Sequence, residues 1–189
     1  MRQPELWLAR HGETDWSAAG KHTGRTDLPL NDNGRAAARG LATVLAGQHF
    51  DLVLTSPLQR ARDTCSLAGF GAQSELEPNL QEWDYGDYEG VTTDEIRESR
   101  PDWTIFDDGC PGGETLAEVG ARADEVIRRV RRTDGRVIAF GHGHILRILA
   151  ARWIDLAPVE GARLLLGTAT VSVLGWERET AVISRWNAG

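Results

Sequence analysis

Short apolar runs closed by turn residues recur along the chain: Leu6-Trp7-Leu8-Ala9, Leu52-Val53-Leu54 and Val137-Ile138-Ala139-Phe140. Each is too short for a helix and apolar at successive positions, as expected of parallel strands buried on both faces. Runs of helical period lie between them. Asn31 is placed to cap a helix over about 32–47, with Ala37, Leu41, Val44 and Leu45 on its inner face. Ser56-Pro57 opens a second helix over about 58–68, where proline suits the first turn. Thr92 or Thr93 caps a short helix that ends near Ser99, before Pro101. A long helix runs from Thr115 to about Arg132, with Leu116, Val119, Ala123, Val126, Ile127 and Val130 at core spacing. A final helix spans about 145–153. A weaker strand is read at 74–78, and Val171, Val173, Leu174 and Trp176 alternate against Val182, Ile183 and Trp186 as a terminal hairpin. Residues 12–30, 80–90 and 102–113 show no period and read as loops. The order predicts an α/β fold, a three-layer α/β/α sandwich with a mostly parallel central sheet and a C-terminal hairpin. No repeat or linker divides it, so a single catalytic domain over 1–189 is expected.

In open α/β sheets, ligands sit beyond the carboxyl ends of the strands. The first strand runs into Arg10-His11-Gly12, and a later one into Gly141-His142-Gly143-His144. Arg60 lies just past the end of the second. Guanidinium groups bind phosphate or carboxylate bidentately, and imidazole serves as nucleophile, base or metal ligand. The helix start after His142 offers free N–H groups to an anion. Taken singly, each residue also reads as a solvated polar group at a strand end. Converging, two arginines and two histidines make an anion site. Glu82, in the acidic aromatic loop 80–90, is the carboxyl placed to protonate a leaving oxygen. For that it needs a pKa raised by burial or by neighbouring negative charge. The chemistry that fits is phosphoryl transfer through histidine, with arginines and the second histidine stabilising the transferred group. Trp16, Lys21, His22, Trp83, Tyr88 and Trp103 are rim candidates, and His144 reads as a first-turn helix residue.

Composition narrows the partners. A net charge of −7 over 189 residues argues against nucleic acid or an anionic membrane and leaves a small phosphorylated substrate. Cys65 and Cys110 match no zinc spacing, and no apolar run is long enough to span a membrane, so a cytoplasmic protein is expected. His11 with His142-x-His144 is a conceivable metal set, but no acidic residue adjoins the motif; neither metal nor cofactor is expected. The free edge of the terminal hairpin leaves a homodimer open.

The chain resembles the histidine phosphatase superfamily, the phosphoglycerate-mutase-like group. The resemblance rests on Arg10-His11-Gly12-Glu13-Thr14, Thr23-Gly24 with Asp27-Leu28-Pro29-Leu30, and Ser56-Pro57-Leu58-Gln59-Arg60-Ala61 with Thr64. It continues through Glu82 with Tyr85-Gly86-Asp87-Tyr88-Glu89-Gly90, Gly112-Gly113-Glu114-Thr115, and His142-Gly143. It implies that His11 is the phosphorylated nucleophile and Glu82 the proton donor. Arg10, Arg60 and His142 then complete the phosphate pocket, and Ser17, Thr23, Gly24 and Gly143 join Arg10 and Arg60 in substrate binding. The chain departs from the pattern in three places: Ser17 stands where many members have asparagine, Gly141 where serine or threonine is common, and His144 is unusual. The interval from Glu82 to His142 contains no lysine and little sequence from which to build a lid, so hydrolysis is expected rather than mutase activity. A cofactor-dependent phosphoglycerate mutase and a non-catalytic sugar-phosphate binder are the alternatives.

Overall fold

The computed structural model describes residues 3–189. Its sheet has six strands, β1 (Glu5–Arg10), β2 (Leu52–Thr55), β3 (Ser74–Leu76), β4 (Arg136–Gly141), β5 (Val171–Glu177) and β6 (Thr180–Ala188), in the order β3-β2-β4-β1-β5-β6. The first four strands are mutually parallel, and β5 and β6 add an antiparallel hairpin beside β1. The fold is α/β with a mostly parallel sheet, as the alternation of elements predicts.

Alternation along β1 explains the layers. Leu6 and Leu8 point to one face, where Val119, Ala123, Val126 and Val130 of α6 (Leu116–Arg131) and Ile145, Leu149 and Trp153 of α7 (Gly143–Trp153) cover them. Trp7 and Ala9 point to the other, against Leu41 of α2 (Asp32–Val44), Cys65 of α3 (Gln59–Leu67), and Phe50. Successive positions thus enter different cores, which is why the strand reads as a continuous apolar run.

The structure corrects several local expectations. The buried line of α2 is Gly34, Ala38, Leu41 and Leu45, while Ala37 and Val44 face solvent. The rotation is set at the helix start, where Gly34 lies against the Glu13 backbone so closely that a Cβ would come within 2.0 Å of the Glu13 carbonyl oxygen. Asn31 caps this helix as expected, its side chain accepting from the Gly34 N–H. Helix α7 begins at Gly143, ahead of the expected Ile145. Residues 102–113 are not wholly irregular. Thr104 caps α5 (Ile105–Asp108), a helix too short to show a period, which Gly109 ends at a φ of 64°. Two further short helices, α1 (Asp15–Ala18) and α4 (Thr93–Ser99), are each closed by a capping box, Thr14 with Ser17 and Thr92 with Glu95.

Gly34→Ala is expected to destabilise the protein by about 1–3 kcal/mol, because only backbone could yield to the new methyl group. A thermal melt should show a midpoint lowered by several degrees; an unchanged midpoint would contradict the close approach.

Candidate active site

Strand register sets the site. Arg10 is paired with Gly141 and Thr55 with Phe140, so the next residue of each strand emerges at one edge. The His11 N–H donates to the Gly141 carbonyl at 3.0 Å and the Ser56 N–H to the Phe140 carbonyl at 2.9 Å, which continues the ladder one step past the strands. His11 and His142 therefore lie side by side, with ring centroids 5.1 Å apart.

Hydrogen bonds fix both imidazoles. His11 Nδ1 is 2.6 Å from the Gly12 carbonyl oxygen, which can only accept, so Nδ1 carries the proton and Nε2 keeps its lone pair. Burial, reinforced by the charges of Arg10 and Arg60, holds this imidazole well below its ordinary pKa, so it is neutral at pH 7. Arg60 Nε donates to His142 Nδ1 at 3.1 Å, so His142 Nε2 carries its proton and donates to Ser56 Oγ at 2.8 Å. Burial, then Arg60, His11 and Arg10, likewise keep His142 neutral.

Glu82 is buried at the start of α7. One carboxylate oxygen accepts from the Trp83 and Ile145 N–H groups and the other from that of His144, each at 3.0 Å. Burial pushes this carboxyl up, yet it is held below the ordinary carboxylate value. His144 contributes to this, and the three N–H donors do so whatever the charge of His144. The raised pKa expected of a proton donor is therefore not found in this structure. The negative charge of a bound phosphate would supply it.

The other candidates divide by position. Arg10, His11, Ser17, Thr23, Glu82 and Gly143 line one cavity of about 400 Å³. Arg10 donates to the Leu166 carbonyl through Nη1, while its buried Nε has no partner among the described residues. A Cβ on Gly143 would sit 3.4 Å from the Arg10 guanidinium carbon and 3.5 Å from the Glu82 carboxylate, so the glycine keeps open the gap between cation and acid. Arg60, His142 and Gly24 stand behind this surface rather than on it. Arg60 is fully buried and also donates to the carbonyls of Thr23, Gly24 and Thr26. The Gly24 N–H is held by Glu89, and a side chain there would strike the Trp83 carbonyl at 2.5 Å. Ser17 Oγ is engaged with the Thr14 backbone in the capping box, which explains a short hydroxyl at this position. Of the rim candidates, Lys21, His22 and Trp103 line the cavity, whereas Trp83 belongs to the core.

Sequence reasoning missed two groups. Arg97, Thr104, Ile105 and Phe106 enter the wall from α4 and α5, and Arg147 and Leu166 complete it. Their signal was weak because the segment carrying α5 has no period. Arg122 was also missed. From α6 it donates to the Asn79 and Gln81 carbonyls at 2.9 and 2.8 Å while paired with Glu114, and so braces the backbone leading to Glu82.

Residues 6–189 match the histidine phosphatase superfamily, branch 1. The chain belongs to this superfamily. The acid phosphatase of Mycobacterium tuberculosis is 42% identical to this histidine phosphatase over 190 residues, covering 97% of this chain and 93% of the relative. The sedoheptulose 1,7-bisphosphatase of Saccharomyces cerevisiae is 36% identical over 185 residues, covering 81% and 68%. A solved structure from M. tuberculosis superposes with a TM-score of 0.91 at 38% identity, covering 99% of this chain and 98% of that one.

The buried imidazoles of this histidine phosphatase give a signed pH prediction. His11 and His142 are depressed, and His144 is pulled down to about 3 by burial despite the opposing pull of Glu82. Below about pH 6.5 the unfolded chain binds protons that these folded groups refuse, so stability falls by up to about 1.4 kcal/mol per pH unit for each. The depressed Glu82 acts in the same direction only below about pH 4.3. The thermal midpoint should drop on going from about pH 7.5 to about pH 5.5, less steeply in His144→Phe. A flat midpoint would mean that the rings take up protons freely.

Proposed function

We propose that this protein is a phosphatase that hydrolyses small phosphomonoesters through a phosphohistidine. The observation that carries the reading is the fixed tautomer of His11: a neutral ring with its proton tied to the Gly12 carbonyl and its Nε2 lone pair free, on the wall of a cavity that also presents Arg10 and Glu82. Family membership and the acid phosphatase relative support the same activity.

In the first step His11 Nε2 forms a bond to phosphorus as the ester P–O bond breaks. Glu82, protonated once phosphate faces it, gives its proton to the departing oxygen. In the second step the Glu82 carboxylate takes a proton from water as the water oxygen attacks phosphorus. The N–P bond breaks, and His11 and phosphate are released. Arg10, through its unpartnered Nε, and the N–H of Gly143 at the start of α7 are placed to bind the phosphoryl oxygens. Arg60 fixes the tautomer of His142 and the loop that closes the pocket. None of these steps uses a metal.

Three cations, Lys21, Arg97 and Arg147, line the cavity, and none belongs to an ion pair among the described residues. Glu82 is the one carboxylate among the lining residues. Unpaired positive charge in an acidic protein favours a substrate with a second acidic group, and the bisphosphatase relative fits that preference. No helix of the described residues is long and apolar enough to cross a membrane.

Phosphate release from p-nitrophenyl phosphate and sugar mono- and bisphosphates tests the activity. Wild type should turn over in the presence of a chelator, and His11→Ala should lose activity by at least about 10³-fold. Glu82→Gln should slow sugar phosphates by about 10²-fold or more and p-nitrophenyl phosphate far less, because nitrophenolate leaves without a proton. An active His11→Ala protein would refute the mechanism. Interconversion of phosphoglycerates in the presence of a bisphosphate primer, without phosphate release, would establish the mutase reading instead.

A further inference from the structure

The part of the cavity beyond the phosphate end is walled by aromatic rings, with two imidazoles set among them. His144 makes edge contacts with Trp83, Tyr85 and Phe106 at centroid distances of 6.1, 5.8 and 5.4 Å. His22 makes edge contacts with Tyr85 and Trp103 at 4.9 and 5.4 Å. Tyr85 thus stands between the two histidines, and all three line the cavity. Neither imidazole is used by the hydrolytic steps.

Their hydrogen bonds give them opposite character. Tyr85 Oη is 2.6 Å from His144 Nδ1. This hydroxyl has no other partner among the described residues, and burial, reinforced by Glu82, keeps it protonated far beyond neutral pH. With no other acceptor for its proton among the described residues, the hydroxyl is assigned as the donor to Nδ1, which places the proton of the neutral His144 ring on Nε2. His22 is arranged the other way. Its Nδ1 lies 2.7 Å from the Val91 carbonyl oxygen, which can only accept, so Nδ1 holds a proton and the neutral form of the ring has its lone pair at Nε2. Neither Nε2 has a protein partner among the described residues, and neither is a buried, unsatisfied atom, so both are open to the cavity that the rings line.

Set among these aromatic rings, one fixed donor and one acceptor suit a group that can answer both. A hydroxyl does so, being donor and acceptor at once, and a chain of hydroxyls does so at two points. We propose that His144 and His22 form a hydroxyl-reading pair for the leaving group, His144 Nε2–H donating to one substrate hydroxyl and His22 Nε2 accepting from another. The preferred substrates are then phosphate esters of polyols or sugars rather than of aryl or alkyl alcohols. This rests on the phosphatase reading and specifies its leaving-group side. The aromatic walls pack against the carbon skeleton, and the two imidazoles recognise what that skeleton carries. The His144 backbone N–H meanwhile holds Glu82, so the residue that reads the leaving group is continuous with the one that holds the proton donor.

The test compares glucose 6-phosphate with cyclohexylmethyl phosphate, which keeps the six-membered ring and the exocyclic carbon but has no hydroxyls. The readout is the ratio of their kcat/KM values. Wild type should favour the sugar, and His144→Phe and His22→Phe should each lower the ratio by about tenfold, the loss expected for one hydrogen bond in a largely enclosed site. Phenylalanine keeps the flat ring and, at 144, the backbone N–H to Glu82, so a change in packing or in the acid would affect both substrates together. His144→Gln, which restores a donor, should recover most of the ratio. A wild type that does not discriminate, or a ratio that holds in either phenylalanine variant, would overturn the proposal. No phosphate release from p-nitrophenyl phosphate by wild type would overturn the phosphatase reading and this one with it, an outcome distinct from loss of discrimination alone.

Discussion

The register of three parallel strands is the constraint on which the site depends. β4 lies between β1 and β2, and its pairing with both fixes where each strand stops relative to the others. Side chains alternate across a sheet, so a slip of one residue would turn every inner side chain to the opposite face. Here both faces are buried, Leu6 and Leu8 in one core and Trp7 and Ala9 in the other, and a slip would disrupt both packings at once. The same alignment places His11 beside His142 and Ser56 within hydrogen-bond reach of the latter. The geometry of the reacting groups therefore follows from the hydrophobic packing of residues that touch no substrate.

What the strands cannot supply is brought in by loops, and buried charge holds those loops. Arg122 and Glu114 form a partly buried pair whose remaining guanidinium donors go to the chain ahead of Glu82. Glu89 receives the N–H groups of Gly24 and Thr26, and Arg60 donates to carbonyls of the same loop. A buried ion pair adds little net stability against an apolar alternative, because desolvation offsets much of the attraction. Its value here is geometric. The Arg122–Glu114 pair, like Glu89 and Arg60, directs hydrogen-bonding capacity to backbone groups that have no partners of their own within a helix or strand.

Most of the framework was legible in the sequence because the chemistry-bearing residues sit at the ends of strongly apolar runs. Arg10-His11 and His142-Gly143 could be placed at strand ends from their neighbours alone, and Asn31 and Thr92 announced their helices by the capping chemistry they perform. Two things were not legible. The face of α2 depends on Gly34 meeting Glu13, a contact between segments that periodicity within the helix does not encode. The outer wall comes from α4, α5 and Arg147, where short helices show no period and an arginine looks like any solvated arginine until its surroundings are known. Gly24 and Arg60 stand in recognisable motifs, yet the structure uses them behind the pocket surface, holding a loop and a histidine tautomer. A motif specifies which residues act together without saying which of them face the cavity.

The site's electrostatics show what the fold gives up for reactivity. The nucleophilic role proposed for His11 needs a neutral imidazole, and burial beside two guanidinium groups that would repel a proton keeps it so. One of these cations is incompletely partnered: Arg10 Nε is buried with no partner among the described residues, and Glu82 is the one carboxylate on the cavity wall. In the reaction proposed above, a dianionic phosphate would pair with the Arg10 guanidinium, occupy the gap that Gly143 keeps open, and raise the proton affinity of Glu82.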